Sequence, residues 1–199
     1  MKELSTRTFF GLIFVFLMLG FTYFSKTSFH IIFIILLLVS IYEIIKMKKN
    51  IFSLIFLVTL PLLLVHDFNR NLVLLIFIFT CIYDSFAYLI GVRFGKNKLA
   101  PSISPKKSWE GFIGGSIFML TIFYIFDARN FLSINSFEHV YFLFFMLPIT
   151  ATLGDLAISF FKRKANVKDT GRLIPGHGGI LDRIDALLFT IPIFYFFLK

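Results

Sequence analysis

Long apolar segments recur along almost the whole chain, and they constrain its fold more than any other feature. Seven segments, at about 8–25, 29–46, 51–67, 71–91, 111–127, 137–160 and 179–198, are each compatible with a membrane-spanning helix of roughly 17–25 residues. The third is short and carries Pro61. The sequence therefore predicts an all-α fold, a polytopic membrane protein with about seven transmembrane helices.

Composition supports the membrane class over a soluble one. The chain is 58% hydrophobic and contains 30 Phe, and its mean hydropathy is +0.87. A soluble domain of this size leaves much of its surface in water and could not hide so much apolar area. The single cysteine, Cys81, excludes an intramolecular disulfide. We expect one integral-membrane domain over residues 1–199, with the motif-bearing part at about 84–199.

Positive charges alternate between the connections of the predicted helices. Counted from the N-terminus, the connections carry 2, 1, 3, 1, 5, 1, 5 and 1 Lys or Arg. Cytoplasmic loops are enriched in these residues, so the N-terminus and the loops 46–50, 92–110 and 161–178 are predicted to be cytoplasmic. The net charge of +9 then suits anionic lipids and a nucleotide triphosphate, and no nucleic-acid partner is expected.

Polar residues concentrate in one stretch from Ser159 to Asp185. Its pieces are Ser159, Lys162-Arg163, Lys168-Asp169, Gly171, Pro175, His177-Gly178-Gly179 and Asp182-Arg183-Ile184-Asp185. A helix that only packs in lipid has no use for basic residues, glycines and carboxylates gathered in this way. The stretch indicates chemistry on a charged, phosphorylated substrate.

Carboxylates are the strongest candidates for a metal site. Asp182 and Asp185 are three residues apart on one helix face, while Asp155 and Asp84 lie within apolar segments. A charge at membrane depth costs roughly 2.5–3.5 kcal/mol unless it is paired or hydrated. Mg²⁺ usually shares one or two carboxylates with substrate phosphates, which favours a magnesium site. Pairing with Arg183 or with nearby lysines is the alternative, and spacing alone leaves both open.

A glycine-rich turn, Pro175 to Gly179, precedes the last helix. Such a turn can direct backbone N–H groups at an anion, and a helix N-terminus adds a favourable dipole. It lacks the P-loop pattern, and a turn of this kind often serves only to reverse the chain. Beside Lys168, Asp169 and Arg172, phosphate binding is the preferred interpretation, with His177 as a hydrogen-bonding group rather than a proton carrier.

A second polar cluster runs from Ser104 to Gly111. Lys106 and Lys107 supply point charges, Ser104 supplies a hydroxyl, and Trp109 suits a membrane interface. An ordinary positive cytoplasmic loop would have the same charge. The pair Gly114-Gly115 further along predicts close packing between helices.

Together these motifs resemble the signature of the phosphatidate cytidylyltransferases (CDP-diacylglycerol synthases). The likeness runs from about Asp84, with Ala87-Tyr88 and the Ser104–Gly111 cluster, to the C-terminus. It implies transfer of a cytidylyl group from CTP to phosphatidate, with Mg²⁺ as cofactor. It also implies a bacterial inner-membrane location, an active site facing the cytoplasm, and a homodimer as an open alternative.

The resemblance assigns roles to individual residues. It implies catalytic roles for Asp155, Asp182, Asp185, Lys168 and Asp169. The metal ligands would be Asp155, Asp182 and Asp185, with Asp84 and Asp169 as weaker candidates. The substrate-binding residues would be Ser104, Lys106, Lys107, Lys162, Arg163, Arg172, His177, Gly178, Gly179 and Arg183.

One departure from the family pattern concerns Ile158. Many relatives have a Glu before the serine that corresponds to Ser159, so a contact of that acid is absent here or is supplied by another residue. This departure keeps open a non-catalytic membrane protein. Two further hypotheses are a CTP-dependent enzyme acting on another lipid and an ion-coupled membrane transporter.

Overall fold

Helices make up most of the computed structural model, which describes residues 2–128, 140–171, 173–174 and 178–198. The helices are α1 (Lys2–Phe24), α2 (Lys26–Met47), α3 (Ile51–Leu64), α4 (Arg70–Phe94), α5 (Trp109–Ala128), α6 (Val140–Lys164), α7 (Leu181–Ile184) and α8 (Leu187–Leu198). One turn of 3-10 helix, Val65–Asp67, follows α3. A short antiparallel hairpin joins α4 to α5 and is formed by β1 (Lys98–Ala100) and β2 (Ser104–Ser108).

The predicted membrane class is confirmed. In the part of the chain that the structure describes, α2, α4, α5 and α6 are long and apolar enough to cross a membrane. Three further apolar helices are shorter, at Phe9–Phe24, Ile51–Asp67 and Leu187–Leu198. The number of seven spans therefore stays a prediction.

Two local features differ from the sequence prediction. The loop 92–110 contains the β-hairpin, which is closed at its base because Asn97 bonds to Glu110 through both its backbone N–H and its side-chain amide. The last apolar segment is not one helix but divides between α7 and α8. At this break the backbone N–H of Ala186 donates to the Asp185 side chain at 2.9 Å, a local bond that competes with helical hydrogen bonding.

Polar contacts join several helices at one end of the bundle. The Nδ1 atoms of His30, near the start of α2, and His66, just after α3, are 2.7 Å apart. The Tyr195 hydroxyl, near the end of α8, donates to Asp67 at 2.9 Å. Because α2 begins at this end while α8 finishes there, the connection after α2 and the start of α8 lie at the opposite end. That opposite end holds the polar motifs.

Small residues let α4 and α5 pack closely in antiparallel fashion. A Cβ atom added at Gly115 would lie 2.8 Å from the backbone N of Ala87, and one at Gly114 would lie 2.6 Å from Cδ1 of Ile90. Close packing at Gly114-Gly115 is therefore confirmed. The contact holds the hairpin-bearing end of α5 beside Asp84 of α4.

Aromatic side chains fill the centre of the bundle. The buried ring of Phe144 on α6 lies 5.2 Å from that of Phe79, 4.5 Å from that of Phe123 and 5.6 Å from that of Phe194, centroid to centroid. These rings come from α4, α5 and α8 respectively. Offset and edge-on aromatic pairs add about 0.5–1.5 kcal/mol each beyond area burial, so this cluster ties α4, α5, α6 and α8 into one unit.

We expect Gly115→Ala to destabilise the protein because its methyl group would press on Ala87. Overpacking of this kind costs about 1–3 kcal/mol. The matched control is Gly20→Ala in α1, where a Cβ meets nothing within 4 Å and the better helix propensity of Ala acts alone. Thermal unfolding in detergent should therefore show a lower Tm than wild type for Gly115→Ala and no such decrease for Gly20→Ala. An unchanged Tm for that variant would contradict the close contact.

Candidate active site

A cavity of about 350 Å³ opens among α4, the hairpin, α5, α6 and α7. Residues from both polar clusters of the sequence reach it, although they are separated by more than fifty positions. The predicted site residues that line it are Asp84, Ser104, Lys106, Lys107, Asp155, Lys162, Asp169, Asp182, Arg183 and Asp185. The structure thus brings most of the predicted constellation together in one place.

A glycine in α6 sets the spacing of two of the acids. A Cβ at Gly154 would lie 3.2 Å from Cα of Ala186, so α6 approaches the break between α7 and α8 backbone to backbone. Asp155 follows Gly154 and Asp185 precedes Ala186, and both side chains line the cavity, as does Asp84 from α4. Carboxylates from α4, from α6 and from the break after α7 therefore share one space.

Asp155 is held by its neighbours but stays accessible. Its Oδ1 accepts a bond from the Ser159 hydroxyl at 3.1 Å, and its Oδ2 lies 2.7 Å from Lys107 Nζ. The Asp155 and Lys107 side chains are 31% and 23% exposed. A partly solvated pair of this kind contributes about 1 kcal/mol or less. Lys107 therefore provides the hairpin with a weak, exchangeable attachment to α6.

Asp182 is bound in a different way. Its Oδ1 lies 2.7 Å from Lys162 Nζ, and its Oδ2 accepts from the backbone N–H of Thr170 at 2.9 Å, the Thr170 hydroxyl at 3.0 Å and the N–H of Gly179 at 3.0 Å. Lys162 and Asp182 are only 8% and 9% exposed. One oxygen therefore links α7 to Lys162 of α6, and the other accepts the hydrogen bonds that hold the turn before α7.

The glycines of the predicted phosphate-binding turn serve this same carboxylate. Gly178 has φ +83°, a left-handed conformation that favours glycine, and a Cβ there would lie 2.7 Å from Asp182 Oδ2. The N–H of Gly179 donates to Asp182 rather than to the cavity. Substrate binding by Gly178 and Gly179 stays a prediction, but their local geometry is explained by Asp182.

Four predicted site residues remain. Two of them do not line the cavity, and the other two lie outside the residues that the structure describes. Lys168 is not among the residues that line the cavity. Arg163 donates to the backbone oxygens of Ile103 at 3.2 Å and Val167 at 3.3 Å, so it links the hairpin to the loop after α6. Arg172 and His177 lie outside the described residues, and their roles in substrate binding stay predictions.

The hairpin carries its polar residues to the cavity from the α5 side. Ser104, Lys106 and Lys107 on β2 line it. Ser108 is buried and accepts from the N–H of Gly111 at 3.2 Å, which caps the start of α5. The second cluster is thus anchored as a continuation of α5 rather than as a free loop.

One buried acid of this region, Glu43, escaped the sequence analysis. It lies near the end of α2, is 1% exposed, and accepts bonds from Thr170, Ile180 and Leu181. The available signal was an acidic residue inside the apolar segment 29–46, because such residues are rare at membrane depth without a partner or a function.

The acids differ in their fit to a magnesium ion. No group of three or more His, Cys, Asp or Glu side chains placed to hold a metal occurs among the described residues. Mg²⁺ needs only one or two protein carboxylates when phosphates supply other oxygens, and Asp155 and Asp185, facing the cavity, suit that role. Asp182 suits it poorly, because it is buried and its oxygens have four donor contacts, whereas the two contacts of Asp155 are partly solvated.

Ile158 lies 1% exposed on α6, so an apolar side chain is packed at the position where the resemblance leads us to expect an acid. That another residue takes over the contact of that acid stays a prediction.

Comparison with known proteins indicates the same family as the sequence motifs. A model of the family described as the cytidylyltransferase family matches residues 50–199. The chain is similar to the phosphatidate cytidylyltransferase of Haemophilus influenzae, with 45% identity over 137 residues, which are 66% of this chain and 48% of that protein.

Two further relatives carry the same name. For the phosphatidate cytidylyltransferase of Thermotoga maritima the identity is 42% over 138 residues, covering 67% of this chain and 51% of the relative. For that of Bacillus subtilis it is 46% over 117 residues, covering 58% and 42%. The matched part of the chain thus spans about half the length of these curated relatives.

We expect Asp182→Ala to destabilise the protein far more than Asp155→Asn. Removing Asp182 leaves the buried Lys162 ammonium without its partner, and breaking a buried pair in this way costs about 3–5 kcal/mol. Asp155 is partly solvated, so its loss should cost about 1 kcal/mol or less. Thermal unfolding of both variants in the same detergent checks this ranking, and equal Tm values would refute it.

Proposed function

The chain belongs to the cytidylyltransferase family, and we propose that it transfers a cytidylyl group from CTP to phosphatidate, giving CDP-diacylglycerol and pyrophosphate. One observation carries the proposal. Within the matched segment, the hairpin and the stretch from Ser159 to Asp185 contribute lysines, an arginine and carboxylates to a single cavity. The names of the relatives supply the substrates.

The proposed reaction is a displacement at phosphorus. A phosphate oxygen of phosphatidate forms a bond to the α-phosphorus of CTP, and the bond from that phosphorus to the oxygen bridging to the β-phosphate breaks. Pyrophosphate leaves with the bonding electron pair. A phosphate monoester is already ionised near neutral pH, so this nucleophile needs little help from a general base.

Cationic side chains would bind and orient the phosphates. Lys106 and Lys107 reach the cavity from β2, and Arg183 reaches it from α7. We infer that Lys107, which forms a weak pair with Asp155, turns to a substrate phosphate when the nucleotide binds. Fixed positive charges that meet developing negative charge lower the barrier to reaction, and holding the two reactants in line adds to that effect.

Asp155 and Asp185, with Asp84 nearby, would hold Mg²⁺ in this proposal. When bound, the ion would neutralise phosphate charge and stabilise the leaving pyrophosphate. Asp182 takes a different role from the predicted one: it keeps Lys162 and the turn before α7 in place. The geometry therefore favours a division between acids that face substrate and acids that support the backbone.

The topology that fits this function has seven spans, with the cavity on the cytoplasmic side. The loops 46–50, 92–110 and 161–178 hold most of the basic residues, which favours that side, and CTP is cytoplasmic. The acyl chains of phosphatidate would stay in the bilayer while the headgroup meets the nucleotide. The bacterial inner-membrane location and the homodimer stay predictions.

We expect Asp155→Asn and Asp185→Asn to lower turnover by at least about 100-fold, the size of effect seen when a transition-state electrostatic group is removed. The measurement is pyrophosphate release by purified protein in mixed micelles with CTP, phosphatidate and Mg²⁺. Asp127→Asn is the matched control, because Asp127 lies near the far end of α5 and bonds to Tyr141.

Two results would overturn the proposal. One is wild-type protein that releases no pyrophosphate, or releases it equally well when a polyprenol replaces phosphatidate. The other is retention of most of the activity in Asp185→Asn, which would remove the acidic cavity from the mechanism.

A further inference from the structure

Glu43 joins the N-terminal half of the protein to the functional stretch. It lies on α2, outside the segment 50–199 that matches the family model, and it is among the most buried polar residues described. Neither of the two ion pairs found within the described ranges involves it. The carboxylate is instead surrounded by hydrogen-bond donors.

Both oxygens of Glu43 are engaged by the turn before α7. Oε1 accepts the backbone N–H of Ile180 at 2.9 Å. Oε2 accepts the N–H of Leu181 at 3.0 Å and the hydroxyl of Thr170 at 2.9 Å. Backbone N–H groups at the start of a helix have no partner within the helix, so Glu43 satisfies two donors that burial would otherwise leave unbonded.

Two glycines make room for this carboxylate. A Cβ at Gly171 would lie 2.7 Å from Oε1 of Glu43, and one at Gly179 would lie 2.6 Å from the same atom. No side chain fits at either position while Glu43 is in place. Glycine is therefore required at positions 171 and 179 because the Glu43 side chain occupies the space that a Cβ atom would need, although Glu43 lies outside the motif.

Glu43 and Asp182 act on the same turn through a shared residue. The Thr170 hydroxyl lies 2.9 Å from Glu43 Oε2 and 3.0 Å from Asp182 Oδ2, and the two carboxylates share its single proton. Gly179 N–H donates to Asp182, while the next two N–H groups along the chain donate to Glu43. Two carboxylates from distant parts of the chain thus determine where α7 begins.

We propose that Glu43 is a positioning residue for the reaction, which orients α7 and hence the Asp185 carboxylate that follows it. The inference rests on the proposed function. Glu43 does not line the cavity, so it acts through the backbone and not on substrate. Its loss should leave the lysines of the hairpin able to bind nucleotide, while the acid at the end of α7 moves out of alignment.

Glu43→Gln is the informative variant because it keeps the shape of the side chain. Its amide has one acceptor oxygen and one donor group, so it cannot accept from Ile180 and Leu181 on both sides at once. We expect kcat for pyrophosphate release to fall about 10- to 100-fold, the scale of a small misplacement of reacting groups, with KM for CTP close to the wild-type value. Ser40→Ala is the control on the same buried face of α2 and should keep wild-type kcat.

A double-mutant cycle with Thr170→Val tests the connection itself. Valine removes the hydroxyl bonded to Glu43 at nearly constant shape. In the Glu43→Gln background this substitution should lower kcat by a smaller factor than in the wild-type background, because coupled residues are not additive. Because the same hydroxyl also lies 3.0 Å from Asp182 Oδ2, a loss of kcat in Thr170→Val alone does not report on Glu43. If Glu43→Gln does not fold, Glu43→Asp, which keeps the charge but is one methylene shorter, takes its place in the same kcat and exchange measurements.

Hydrogen exchange supplies a readout that does not depend on activity. The amides of Ile180 and Leu181 should exchange faster in Glu43→Gln than in wild-type protein, while those of α4 keep their protection. Wild-type protein without turnover overturns the proposed function, and exchange then decides alone whether Glu43 holds the turn. With active wild-type protein, three results overturn the inference. These are an unchanged kcat in Glu43→Gln, an equal loss of kcat in Ser40→Ala, and a loss of kcat in Glu43→Gln that is fully explained by the fraction of that variant that is unfolded.

Discussion

The whole arrangement depends on how carboxylates are stabilised at one end of an apolar helix bundle. A charged oxygen in such surroundings is unfavourable unless donors surround it. Asp182 and Glu43 meet this requirement with Lys162, a threonine hydroxyl and four backbone N–H groups of the turn before α7. The hydrogen bonds that stabilise these buried carboxylates also fix the backbone of the turn before α7. The stability of the acids and the local fold therefore depend on the same contacts.

This requirement separates the acids into two groups. Asp182 and Glu43 are saturated by donors and hold the backbone. Asp155 has a weak, exchangeable lysine, and it faces the cavity together with Asp84 and Asp185. Groups that must meet phosphates or a cation need free acceptor capacity, whereas groups that hold a turn need none. The division follows from the number of donors around each carboxylate rather than from residue type.

Close backbone approach places the second group. Gly115 lets α5 lie against Ala87 of α4, and Gly154 lets α6 lie against the break at Ala186. Bulky aromatic rings fill the space between the helices further along the bundle. Small residues at the end that holds the cavity and large residues in the centre therefore bring the acids of α4, of α6 and of the break after α7 together.

The sequence by itself determined the membrane class, the grouping of basic loops, and most residues of the cavity, because apolar length, charge alternation and motif spacing are local properties. Only the tertiary structure shows how each acid is surrounded. Asp182 and Asp185 look equivalent three residues apart, and both line the cavity, yet the Asp182 carboxylate is enclosed by Lys162, Thr170 and Gly179 while Asp185 accepts a local bond from the N–H of Ala186. Glu43 lies in the apolar segment 29–46 and led to no prediction, because its partners lie more than 120 positions away. Long-range hydrogen bonds and burial have no local pattern, and for that reason the structure was needed to find them.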